Sequence, residues 1–171
     1  MRNRRGGGRA GAPAGVESAM RLALYQPDIA PNAGAMLRLA ACLGVGVDLI
    51  EPCGFPVDDR RLRRAGMDYI DHVALTRHDS WDAFRRDRAP GRLVLLTTSG
   101  EARFPQVAFR ADDILMVGRE SAGVPGEVHA AADLRLRLPM RPGLRSFNVA
   151  LAAAMVLTEA LRQTDGFAAL T

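Results

Sequence analysis

From Arg21 onward the chain alternates short apolar runs with amphipathic segments, and this alternation leaves few folds open. The runs Leu22–Tyr25, Val47–Ile50, Val73–Thr76, Leu93–Thr97, Ile114–Val117 and Leu134–Leu138 read as strands, being short, rich in branched residues and bounded by glycine, proline and charge. Between them, Asn32–Leu43, Asp58–Ala65, Ser80–Arg88 and Ser146–Gln163 read as helices, with a weaker turn at Pro125–Ala131. Strand and helix in alternation predict an α/β fold, a mostly parallel sheet with helices on both faces. No repeat or linker divides residues 20–171, and 171 residues of which 48% are hydrophobic suffice for one sizeable core and not two.

The last helix adds a constraint. From Phe147 to Leu157 it is apolar or alanine around its full circumference, so burial on one side leaves much of it exposed. A second side buried against another subunit, in a symmetric dimer, is the expectation.

Charge says less than it first suggests. All 23 basic residues are arginine, so no Schiff base and no phosphate-loop lysine can be built. The net charge of +4 is compatible with a polyanionic partner. Most of the excess lies in residues 1–19, where Arg2, Arg4, Arg5 and Arg9 face one acid, Glu17. That segment has no apolar periodicity and reads as a disordered basic tail, with an RNA-tethering arm or an upstream start as the alternatives. Cys42 and Cys53 lack metal-ligand spacing and read as buried free thiols in a reducing cytoplasm. No apolar run is long enough to span a bilayer, and His72, His78 and His129 have no partner at ligand spacing, so neither membrane nor metal is expected.

Three stretches place small and polar residues where core packing does not ask for them. They are Pro-Asn-Ala-Gly-Ala-Met-Leu-Arg ending at Arg38, Gly-Arg-Glu-Ser-Ala-Gly-Val-Pro over 118–125, and Leu-Pro-Met-Arg-Pro-Gly-Leu-Arg-Ser-Phe-Asn-Val-Ala over 138–150. Each follows a strand, where open α/β sheets bind ligands. The dinucleotide fingerprint is excluded, because Gln-Pro-Asp-Ile-Ala-Pro-Asn-Ala-Gly follows the first strand in place of a glycine triplet. Within the stretches, Arg38 reads either as a solvated helix arginine or as a phosphate ligand. Asn32 reads as a helix cap, Glu120 as a loop carboxylate made accessible by flanking glycines, and Ser146 with Asn148 as the opening of the last helix. Arg60, Arg61, Arg63 and Arg64, after Asp58 and Asp59, form either a solvated helix face or a phosphate-contacting one.

In order and spacing these stretches resemble the knotted SPOUT methyltransferases, and most closely the small single-domain branch that methylates the ribose 2'-hydroxyl at the wobble nucleotide of tRNA. The likeness runs from Met20 to about Gln163 and includes Asp58–Tyr69 and Leu96–Gly100. It implies a C-terminal trefoil knot, S-adenosyl-L-methionine as cofactor, tRNA as substrate and a homodimer. By matching positions it implies cofactor contacts from Leu96, Thr97, Gly118, Leu138, Met140 and Ser146. It implies catalytic positions at Arg38, Glu120 and Asn148, and RNA contacts from Asn32, Arg60, Arg63, Arg64 and Arg145. Ala35, Ala150 and Thr158 depart from the pattern and bear on nucleotide choice. Methylation at another tRNA or rRNA site, or an RNA-binding module without catalysis, are the alternatives.

Overall fold

A computed structural model describes residues 18–57 and 67–170. It forms one seven-stranded sheet: β1 Ser18–Tyr25, β2 Val45–Ile50, β3 Leu75–His78, β4 Leu93–Leu96, β5 Ala102–Arg103, β6 Ile114–Val117 and β7 Leu134–Arg137. The order is β3-β2-β1-β6-β4-β7-β5, and every pairing is parallel. The helices are α1 Ala30–Cys42, a 3-10 turn Met67–His72, α2 Trp81–Asp87, α3 Gly126–Ala131 and α4 Val149–Gln163.

Strands buried on both faces favour continuous apolar runs, and β6 (Ile-Leu-Met-Val) is one; β2 is buried at every position as well, although Asp48 interrupts its apolar residues. Alternation then sorts the side chains. Leu22 and Leu24 of β1 enter the larger core with α1 and α4, whereas Ala23 and Tyr25 enter a second core with Trp81, Phe84 and Val128. Asp48 and His78 are buried within this frame and bonded to each other at 2.8 Å, with Arg21 on the second carboxylate oxygen at 2.6 Å. His78 is thus structural, as expected.

Several boundaries depart from the sequence reading. β1 begins at Ser18, so the last two residues of the expected tail belong to the sheet. β3 lies two residues later than Val73–Thr76, because Val73 closes a turn onto Ile70. The 3-10 turn and the two-residue β5 were not anticipated, since neither has the length to show a period. The expected helix Asp58–Ala65 lies outside the described residues. Cys42 is exposed on α1 rather than buried; Cys53 is partly buried, and burial pushes its thiol up to about 12. No helix among the described residues is long and apolar enough to cross a membrane.

Topology does one thing of consequence for function. β7 lies between β4 and β5, which are consecutive in the chain and joined only by residues 97–101. The connection crosses β7 at backbone contact: a Cβ on Gly100 would sit 2.6 Å from the Arg135 carbonyl oxygen, so only glycine fits. Residues 138–148 leave β7 beside that crossing.

Candidate active site

The carboxyl ends of β4, β6 and β7 open onto a cavity of about 570 Å³. Leu96, Thr97 and Thr98 line one wall, Gly118, Glu120, Gly123 and Val124 another, and Leu138, Met140, Arg145 and Ser146 a third. Every residue expected to contact a cofactor lies on this lining, and so does Arg145. The second wall owes its shape to a tight loop. Arg119 and Gly123 exchange both backbone hydrogen bonds, at 3.0 and 2.9 Å; Gly123 takes φ +64°, and a Cβ on Gly118 would meet Gly123 at 2.7 Å. Bare backbone therefore faces the cavity.

At its mouth the three stretches are wired together. The Glu120 carboxylate accepts from the Asp28 backbone N–H at 2.8 Å and from Asn32 Nδ2 at 3.1 Å. Asn148 Nδ2 donates to Asn32 Oδ1 at 3.1 Å, and Asn148 Oδ1 accepts from the N–H groups of Ala150 and Leu151 at 2.9 and 3.3 Å. Both ends of this chain are chemically fixed, by a carboxylate that only accepts and by backbone amides that only donate. Each asparagine therefore has a single orientation that satisfies its bonds.

Two capping expectations are corrected by this geometry. Ile29, not Asn32, is the N-cap of α1, with Pro31 in the first turn, so the Asn32 side chain is free for Glu120. Asn148, not Ser146, caps α4, which begins at Val149; Ser146 lies on the cavity wall instead. Sequence reasoning passed over two further groups. The Asp28 carboxylate accepts from the Ser121 hydroxyl and, at 3.1 Å, from its backbone N–H, and these bonds hold the Asp28 carboxyl below its ordinary value. Arg119 lines the cavity and donates to Gln26 Oε1, while its Nε is buried without a partner among the described residues. The available signal was the Gln-Pro-Asp that follows β1, which counts for more than its mismatch to a dinucleotide fingerprint.

Arg38 is not on the lining. Six residues beyond Asn32 it lies about 9 Å further along α1 and about 120° around it, exposed and with its guanidinium 4.7 Å from the Tyr69 ring centroid. Arg60, Arg63 and Arg64 lie outside the described residues.

An open parallel sheet with a part-apolar, part-polar cavity at the carboxyl ends of its strands defines an α/β ligand-binding scaffold of the enzyme type. The chain belongs to the SpoU rRNA Methylase family, which residues 19–158 match. It is 61% identical over 149 residues to a tRNA (cytidine(34)-2'-O)-methyltransferase of Beijerinckia indica subsp. indica, covering 86% of this chain and 93% of that protein. A solved structure described as giving insights into the 2-OH methylation of C/U34 on tRNA superposes with a TM-score of 0.79 at 42% identity, covering 84% of this chain and 95% of that one. The SpoU methyltransferase AviRb from Streptomyces viridochromogenes, solved in complex with the cofactor AdoMet, superposes at 0.74 with 25% identity, over 86% of this chain and 61% of that one. The neighbouring structures are SPOUT methyltransferases, and the parallel α/β architecture read from the sequence agrees with theirs.

Proposed function

We propose that this protein transfers a methyl group from S-adenosyl-L-methionine to the ribose 2'-hydroxyl of the cytidine or modified uridine at the wobble position of tRNA. The observation that carries this reading is the bonded chain Glu120–Asn32–Asn148, which joins three separate segments at the mouth of one cavity, in a protein whose relatives bear that activity in their names.

The lining suits the donor. Leu96, Leu138 and Met140 offer apolar faces for an adenine ring, Thr97 and Ser146 offer hydroxyls, and the Gly118 loop offers unshielded backbone groups to the ring edge. Bound there, S-adenosylmethionine supplies an electrophilic methyl group on a sulfonium sulfur. The task left to the protein is to place a hydroxyl in line with it, and placement of this kind is worth several kcal/mol, roughly 7–11 in well-oriented systems. Glu120 and Asn148 hold the junction rigid, Asn32 presents the amide between them, and Arg145 puts a cation at the rim. Arg38 acts by electrostatics, because a guanidinium does not readily give up its proton.

The surface supports a dimeric assembly. On α1 the residues Pro31, Ala35, Arg38 and Cys42 are exposed at helical spacing, and on α4, which packs against α1, Leu151 and Met155 are exposed in the same way. With Ile29 and Phe147 they make an apolar face that a second copy would cover, in a two-fold dimer. Arg38 stands within that face, so it serves the cavity of the other copy. The crossing of residues 97–101 over β7 supports threading of the C-terminal segment as a knot. A tRNA substrate implies a cytoplasmic enzyme.

The test is transfer of labelled methyl from the donor to bulk tRNA, followed by mapping of the modified nucleotide. We expect incorporation at position 34, reduced at least a hundredfold in Arg38→Ala and in Glu120→Gln. Wild-type incorporation at another site, or at none, overturns the reading.

A further inference from the structure

Ion pairs neutralise several arginines among the described residues, and among the arginines with no such pair two face each other at one edge of the sheet. Arg135 on β7 is typical: its guanidinium meets Glu101 at 2.9 Å and also donates to the carbonyls of His129 and Ala132. Arg137, two residues on, leaves the same face of the strand, because Leu134 and Leu136 take the opposite one against the core. Its guanidinium has no hydrogen bond or ion pair among the described residues. Its register partner on β5 is Arg103, whose guanidinium also has none. Two unneutralised guanidinium groups therefore stand on neighbouring strands, about 5 Å apart at the backbone, at the edge of the sheet. Like charges directly opposite each other oppose pairing. Arg141 and Arg145, exposed on the segment that leaves β7, are likewise unpaired among the described residues, and Arg145 reaches the cavity lining.

We propose that Arg103, Arg137, Arg141 and Arg145 form a phosphate-binding strip that holds the RNA backbone a few nucleotides from the one being methylated; this rests on the RNA methyltransferase reading above. Three strand spacings separate β5 from β6, whose loop carries Glu120, about 14 Å in all. At about 3.4 Å per stacked nucleotide this is a reach of roughly four. Guanidinium groups suit the task, since their planar fork engages phosphate oxygens in pairs. A charged edge also deters edge-to-edge pairing of sheets, but that role does not ask for a line of cations leading to the cavity, and it leaves RNA affinity untouched.

The experiment measures binding of full-length protein to bulk tRNA across a salt series, with donor affinity measured separately by calorimetry. For the double variant Arg103→Gln/Arg137→Gln we expect the slope of log K against log salt to fall by about 1.4 to 1.8. RNA affinity near 0.1 M salt should drop tenfold or more, while the Kd for S-adenosylmethionine stays within twofold. The double Arg→Lys variant, which keeps the charge, should regain most of the slope. An unchanged slope and affinity in the glutamine variant overturns the proposal, as does a lysine variant no better than glutamine. Binding is read apart from turnover. A wild-type protein that holds RNA but transfers no methyl group therefore sinks the enzymatic reading, and the strip is still judged on its slope.

Discussion

Asn148 carries two bonds that can be separated. Its Oδ1 caps α4 and its Nδ2 holds Asn32, so alanine removes both, while serine keeps a capping oxygen but is too short to hold Asn32. Asn148→Ala should lower unfolding free energy by about 1 kcal/mol in urea titration, and Asn148→Ser by only a few tenths. Both should lose methyl-transfer rate by a similar factor, about tenfold, the order expected for one lost bond in a satisfied network. Equal stability losses would show that the cap is not where the energy lies. Asp28 makes a complementary prediction in pH. Its carboxyl is held below the ordinary value of 3.8 by the Ser121 hydroxyl, then by the Ser121 N–H. With the folded value depressed, the contribution to stability is present above the ordinary carboxylate range and lost as pH falls through the depressed one. NMR titration should find the midpoint below 3.8, and Ser121→Ala should move it up.

At the scale of elements, the connection between β4 and β5 governs the site. It carries Thr97 and Thr98 to the cavity and crosses β7 at a distance only Gly100 permits. Gly100→Ala forces a methyl against the Arg135 carbonyl, which cannot yield without moving the strand. We expect a loss of about 1–3 kcal/mol in stability, and weaker donor binding by calorimetry because the cavity wall moves with the loop. A variant as stable as wild type that binds the donor normally would mean the crossing is not tight. α4 shows the opposite case, an element whose sequence is plain and whose partner is not: Ala153, Val156, Leu157 and Ala160 are buried within the chain, whereas Leu151 is 61% exposed.

At the scale of the molecule, that exposed face and the outward position of Arg38 make one prediction. If Arg38 serves the other copy's cavity, Arg38→Ala and Glu120→Gln are each inactive alone but complement when co-expressed. Random pairing places both variants in half the dimers, each with one intact site, so about a quarter of wild-type activity should return. No recovery in a sample shown to contain mixed dimers would return Arg38 to its own copy.

What the chain alone determined is whatever depends on local pattern. Continuous apolar runs marked β4 and β6, the alternation of strands with helices required a parallel sheet, and glycine with proline marked the loops whose backbone lines the cavity. The lining residues Leu96, Thr97, Gly118, Leu138, Met140 and Ser146 were named through the family likeness, by matching positions, and the cavity lining includes all of them. The tertiary structure decided what depends on distance across the chain. That Asn32 serves Glu120 rather than its own helix, and that Arg103 faces Arg137, both follow from the order of the strands. β7 inserts between β4 and β5, and no local signal encodes that insertion: strand pairing is chosen by the packing of the whole sheet, while periodicity records only which face of each element is buried.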